Sequence, residues 1–301
     1  MYIKYYLNYC IYNNIKLLNK GYFTMHIIID TSWVLYRGYF SSKRIWEHFP
    51  ELHFFCKLLN SYLNNKDNII HLCIDGWNTK GKNLLNDNYK AGRKKEDSYN
   101  VYAGLSTFVS LLDNNRIKIY YNKDYEADEI IYTLSHTLDG KKKILSADKD
   151  LLQALSEDIS IENGSKFLIT NESYKYDYYD KFFGIEPNKL PLLRAIIGDI
   201  SDSLKPPVPR FPHKLAAKIV QNIDYNGTAP SKEQLSNLKI ELSDTEAKWF
   251  SKLLDAYDKF NINFQIMKLN IINDNLHEEY NSKQIDIDNF LKSKILNLNT
   301  L

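Results

Sequence analysis

His26-Ile27-Ile28-Ile29-Asp30 decides how the rest of the chain is read. A short β-branched apolar run that closes on a carboxylate and a polar turn reads as a buried strand. The form recurs at Asn68–Asp75, where Ile69, Ile70, Leu72, Cys73 and Ile74 precede Asp75 and Gly76. Ile117–Tyr121, leading to Glu126, and Lys143–Ser146, leading to Asp148, read as further short strands, and Ile159–Ile161 and Phe167–Ile169 as two edge strands. Helical patterns lie between them at about 45–66, 98–114 and 126–139. Such alternation predicts a doubly wound α/β domain with a mainly parallel sheet. In that architecture the carboxyl ends of the strands share one edge, so residues placed there converge however distant they are in sequence.

Acids recur along the chain, three groups of them directly after or just beyond an apolar strand-like run. Asp30, Asp75, Glu126-Ala127-Asp128-Glu129, Asp148-Lys149-Asp150 and Asp199-Ile200-Ser201-Asp202 form five acidic clusters. One Asp after a strand is ordinarily an N-cap for the next helix. Glu126 and Asp128 at a helix start are also favoured by the helix dipole in any protein. Capping alone does not account for so many acids at strand ends, several of them paired two residues apart. Oxygen ligands without His or Cys partners suit Mg²⁺ or Mn²⁺.

The chain has 301 residues, 44% hydrophobic and 25% charged, enough for one large domain or a domain with a helical appendage. Its net charge of +2 is small, so any nucleic-acid contact has to come from the distribution of charge. Three cysteines, Cys10, Cys56 and Cys73, have no C-x-x-C spacing, which argues against a disulfide framework or a zinc ribbon and fits a reducing cytoplasm. No apolar run approaches the roughly 20 residues that span a bilayer, so no membrane association is expected. Residues 1–24 contain no acid and read as a disordered extension or a start placed too far upstream, with Met25 the functional start.

A helix is expected from Asp148 to Leu155, another at 213–222 behind Pro206, Pro207, Pro209 and Pro212, and one long helix over 244–270. The tail from Ile285 could form one more. Lys80, Lys82, Lys90, Arg93, Lys94 and Lys95 follow Asp75-Gly76 closely. A charge run is ordinarily a solvated face. Its place directly after an acid-ended strand, with Trp77 and Tyr89 offering flat surfaces for bases, suits a nucleic-acid strand instead.

Taken in order, these segments resemble the 5′ nuclease superfamily of phage 5′→3′ exonucleases, flap endonucleases and the N-terminal nuclease domain of bacterial DNA polymerases. Asp30 to Tyr39 looks like the first motif, Asp75-Gly76 the second aspartate, and Tyr89-Lys90 with Arg93 the arch. Glu126 to Glu129, Ser146 to Leu151 and Gly198 to Asp202 resemble the remaining acidic motifs. The resemblance covers about residues 25–225. It implies a PIN-like catalytic domain over 25–200 with a helical arch at 76–100, and a helix-hairpin-helix-like, helical DNA-binding region over 201–301.

It also implies two Mg²⁺ ions, replaceable by Mn²⁺, one held by Asp30, Asp75, Glu126 and Asp128, the other by Asp148, Asp150, Asp199 and Asp202. Lys90 and Arg93 would act on the scissile phosphate, and Arg37, Tyr89, Lys82, Lys94, Arg210, Lys214 and Lys218 would contact DNA. The expected substrates are DNA with a 5′ flap, nick or free 5′ end, and RNA–DNA hybrids such as primers. Any polymerase is expected to be a separate protein, and the setting a bacterial or phage-infected cytoplasm. Three departures stand out: Glu129 for Asp, Ser203 for Asn, and Pro207, Arg210 and Pro212 for the glycines of a hairpin that commonly binds K⁺. Proline offers no N–H to a duplex phosphate. A PIN-type ribonuclease and a catalytically weak DNA-junction binder are the alternatives; the arch argues against the first, the full set of acids against the second.

Overall fold

Six strands form one sheet in the order β3-β2-β1-β4-β5-β6: β1 Met25–Asp30, β2 Asn68–Ile74, β3 Ile117–Tyr121, β4 Lys141–Leu145, β5 Ile159–Asn163 and β6 Phe167–Ile169. All neighbours pair in parallel except β5 with β6. The computed structural model describes residues 25–44, 50–76, 116–163, 167–177 and 181–272, together with Leu85 and Val101. Apart from Gly76, Leu85 and Val101, the expected arch and the helix at 98–114 lie outside the described residues, as do the extension 1–24 and the tail from Ile285.

Period-two alternation assigns the strand side chains to two cores. Ile27, Ile29, Ile70, Leu72, Ile119 and Leu145 face α1 (Thr31–Ser42) and α2 (Pro50–Leu63), packing with Val34, Leu35, Leu52, Phe55 and Leu59. Ile28, Cys73, Tyr120 and Ile144 face the other way, toward α3 (Ala127–Thr137), with Ile130, Ile131 and Leu134. Ile27, Ile28 and Ile29 are all fully buried, so β1 is covered on both faces and contributes roughly 1.5–3 kcal/mol per side chain. The unbroken isoleucine run records that double covering.

The same second core continues through α5 (Leu190–Ile197) and α6 (His213–Gln221) into α8 (Asp244–Asp255) and α9 (Tyr257–Met267); the intervening helices are α4 (Asn171–Asp177) and α7 (Lys232–Ser236). Among the described residues no helix is long and apolar enough to cross a membrane.

Three expectations need correction. The turn after Asp30 is the start of α1 itself, with Asp30 Oδ1 accepting the Trp33 N–H at 3.0 Å as its N-cap. The helix expected over Asp148–Leu155 is a short 3₁₀ segment, Asp150–Ala154. Leu151 to Ala154 are all buried there, and the tighter turn takes them inward without carrying the chain away from the edge. The long helix over 244–270 breaks at Ala256, at φ −96° and ψ 21°. Phe250 and Leu253 are buried before the break, and Phe260, Phe264, Ile266 and Met267 after it, directions that one straight helix would not supply. The described part of the helix expected at 45–66 is Pro50–Leu63, ending where Asn64 and Asn65 leave it.

Candidate metal centre

The strand order reverses between β1 and β4, since the chain runs outward from β1 through β2 to β3 and then returns to the other side at β4. A crevice opens at the carboxyl ends of strands at such a switch point. Asp30 closes β1 and Ser146 follows β4, in neighbouring register because Ile29 pairs with Leu145. The Ser146 hydroxyl, fully buried, donates to Asp30 Oδ2 at 2.8 Å and accepts the Asp148 N–H at 3.1 Å. One hydroxyl thus ties the ends of two strands together.

Asp75, just past β2, is held in the same way. Its Oδ2 accepts from the Ser32 hydroxyl and its Oδ1 from the Ala127 N–H at 2.9 Å, at the start of α3. Gly76 makes that approach possible. Its N–H donates to the Tyr125 carbonyl at 2.9 Å, and a Cβ there would lie 2.3 Å from the Asn122 oxygen. The loop before α3 therefore closes on bare backbone, which brings Glu126 and Asp128 to the edge. Glu129 accepts the Glu126 N–H at 3.1 Å, so the longer acid that departs from the family pattern serves the helix start.

Asp128, Asp148 and Asp150 each offer an oxygen within 4.8 Å of the others. Asp148 Oδ1 accepts the Asp150 N–H at 2.8 Å, which orients the pair. Hard oxygen donors with no His or Cys among them fit Mg²⁺ or Mn²⁺. Asp30 and Asp75 stand beside this group. Burial raises the Asp30 carboxyl to about 7, Asp75 and Asp148 push it the same way, and the Trp33 and Ser146 donors oppose the shift.

That shift has a testable sign. An acid raised from about 3.8 to about 7 on folding contributes stability below the lower value, and loses it as pH climbs through the higher one. In EDTA the melting temperature of the wild type should therefore fall between pH 4 and 7 relative to Asp30→Asn. Parallel melting curves for the two proteins would contradict the assignment.

Asp199 and Asp202 lie in the turn after α5. Gly198 takes φ 77°, and a Cβ there would lie 2.6 Å from the Leu204 carbonyl, so the turn requires glycine. Ser203 adopts φ 59°, in the left-handed region that the Asn expected here from the resemblance enters more readily. Asp199 does not join the three clustered acids. Its carboxylate accepts from the Ser201 N–H and hydroxyl and from Arg194. Glu126 and Asp202 are buried at 6% and 4% exposure.

Of the residues expected to meet DNA, Arg37 lies over the rings of Trp33 and Phe54, at 5.3 and 5.5 Å. Arg210 and Lys214 are exposed, and Lys218 pairs with Glu246 at 3.3 Å. Arg210 has φ 60° in a tight turn closed by the Phe211 N–H on the Val208 carbonyl, so it keeps a glycine-like conformation without being glycine. Lys82, Tyr89, Lys90, Arg93 and Lys94 lie outside the described residues. Sequence reasoning missed Ser32, Ser146 and Arg194. A lone charge in the apolar run Leu190–Ile197 was the available signal for Arg194; the serines carried none beyond adjacency to an acid.

A family model described as 5′-3′ exonuclease, N-terminal resolvase-like domain, matches residues 25–181. The 5′-3′ exonuclease of Buchnera aphidicola subsp. Schizaphis graminum is 30% identical over 202 residues, 63% of this chain and 67% of that protein. DNA polymerase I of Streptococcus pneumoniae is 29% identical over 255 residues, 77% of this chain and 28% of that protein. The chain therefore spans little more than a quarter of that polymerase. The structure of T5 5′-exonuclease with divalent zinc ions bound superimposes with a TM-score of 0.61 at 14% identity, covering 91% of this chain and 99% of that one. At that identity the likeness is one of fold.

Proposed function

We propose that this chain, which belongs to the 5′-3′ exonuclease family, is a divalent-metal-dependent 5′→3′ exonuclease and flap endonuclease that hydrolyses DNA phosphodiesters in replication or repair. The observation that carries this reading is the convergence of Asp128, Asp148 and Asp150 at the sheet's switch point, with Asp30 and Asp75 beside them. These five, with Glu126, Asp199 and Asp202, form the ligand set for two ions, Mg²⁺ by preference with Mn²⁺ as substitute. Bound ions of this kind polarise a phosphoryl oxygen and lower the pKa of water. Ser146 and Ser32 hold Asp30 and Asp75 in fixed orientation, so the acids are set before substrate arrives.

Lys90 and Arg93 would supply positive charge at the scissile phosphate, and Tyr89 a face for the adjacent base. Arg37, Lys82 and Lys94 would contact the DNA backbone. The substrates are DNA with a 5′ flap, nick or free 5′ end, with RNA–DNA hybrids a further class, and the setting is the cytoplasm. A DNA polymerase is the proposed partner, since its repair synthesis would generate the flap.

A 5′-labelled flap duplex, a nicked duplex, a single DNA strand and a single RNA strand, each incubated with Mg²⁺ and with EDTA, test this reading. Cleavage of the flap with Mg²⁺ alone is expected. Cleavage confined to RNA would mark a ribonuclease, and tight flap binding without cleavage a junction-binding protein; either result would overturn the proposal.

Duplex binding beyond the junction should depend on exposed side chains, because Pro207 and Pro212 give no N–H to a phosphate. Arg210→Ala combined with Lys214→Ala should lower the slope of log affinity against log salt by about 1.8, at ~0.9 per phosphate contact. Lys218 adds less, being engaged by Glu246. No preference for K⁺ over Na⁺ is expected. An unchanged slope, or a clear K⁺ preference, would mean that the backbone still grips the duplex.

A further inference from the structure

We propose that Arg194 is a built-in counter-cation of the acidic cluster, which holds Asp150 and Asp199 together in the absence of a second divalent ion and must release them for that ion to bind. The inference rests on the metal-dependent reading above. Arg194 is the one charged residue of α5, Leu190–Ile197, and its side chain is 12% exposed. Its Nη1 pairs with Asp150 and its Nη2 with Asp199, whose side chains are 11% and 14% exposed. A planar fork with two separate nitrogens is suited to bridging two carboxylates.

The carboxylates come from different segments. Asp150 opens the 3₁₀ segment after β4, and Asp199 follows α5. Asp150 is also one of the three clustered acids, so the guanidinium stands directly against the group able to hold an ion. On Asp199, Oδ1 is taken by the Ser201 N–H at 2.7 Å, the Ser201 hydroxyl and the Asp202 N–H at 3.4 Å. The remaining oxygen, Oδ2, is the one Arg194 occupies.

Arginine does not lose its proton in a protein, so it cannot step aside by neutralising. Two largely buried acids beside Asp128 and Asp148 are costly without a cation, and Arg194 meets that need. The same positive charge opposes an incoming divalent ion. One substitution should thus move two measurable quantities in opposite directions, whereas a residue that only braced the fold would move them together.

The test uses the full chain, with Mn²⁺ binding followed by electron paramagnetic resonance of the free ion and thermal melting followed in EDTA and in Mn²⁺. Arg194→Gln should lower the melting temperature in EDTA, yet tighten the weaker class of Mn²⁺ site at least tenfold, or add a second ion where the wild type binds one. Arg194→Lys keeps the charge without the fork and should fall between the two; it remains informative should the glutamine variant fail to fold in EDTA. Weaker-class affinity that is unchanged or reduced in both variants overturns the proposal. Failure of the metal-dependent reading looks different: wild type that binds no Mn²⁺, or binds it as well after Asp148→Asn.

Discussion

Asp148→Asn is expected to lower flap cleavage by on the order of 10³-fold or more while leaving the protein folded and able to bind DNA. Asp148 is exposed and makes no packing contribution that Asn could not reproduce, including acceptance of the Asp150 N–H by its side-chain oxygen. What Asn lacks is charge. It replaces one of three oxygens lying within 4.8 Å of one another by a neutral, weaker ligand. A loss of 10³ corresponds to about 4 kcal/mol of transition-state stabilisation, the scale expected when a preorganised charged group is removed. In EDTA the same change relieves repulsion with Asp128, Asp150 and Asp30, so the melting temperature should rise. Single-turnover cleavage and calorimetry on one preparation decide the matter, and wild-type rates would sink the assignment.

Gly76→Ala is expected to be as damaging by a different route. The added Cβ would stand 2.3 Å from the Asn122 oxygen, 2.5 Å from that of Tyr125 and 2.6 Å from that of Lys123. All three belong to backbone, so no side-chain rotation relieves the clash. The loop must retreat, and it carries Glu126 and Asp128 with it while breaking the Gly76 N–H bond to Tyr125. A loss of roughly 3 kcal/mol, or about 5–10 °C in melting temperature, is the scale for forced backbone displacement. Cleavage and Mn²⁺ affinity should both fall even below the new melting point. An alanine variant that melts and cleaves like the wild type would show that the loop does not depend on this approach.

Strand positions and the acids at their ends were readable locally. Ile27 to Ile29 record burial on both sides of β1, and Asp30 and Asp75 stand where the apolar runs stop. Helix limits were harder to read. Nothing in the spacing of Trp249, Leu253, Tyr257 and Phe260 marks the break at Ala256, because the break answers to which neighbours each half must face.

A largely parallel sheet with carboxylates along one edge was legible in the chain, since hydrophobic period and residue type act over a few residues. Which groups meet those carboxylates depends on how the elements pack. Ser32 reaches Asp75 across 43 residues and Ser146 reaches Asp30 across 116, both through the order in which strands lie side by side. Arg194 meets Asp150 because α5 packs on the segment after β4. Strand order and helix docking are set by the summed burial of two cores, and no local pattern carries that sum. The acids could therefore be found from the chain alone, while the hydroxyls and the guanidinium that hold them could not.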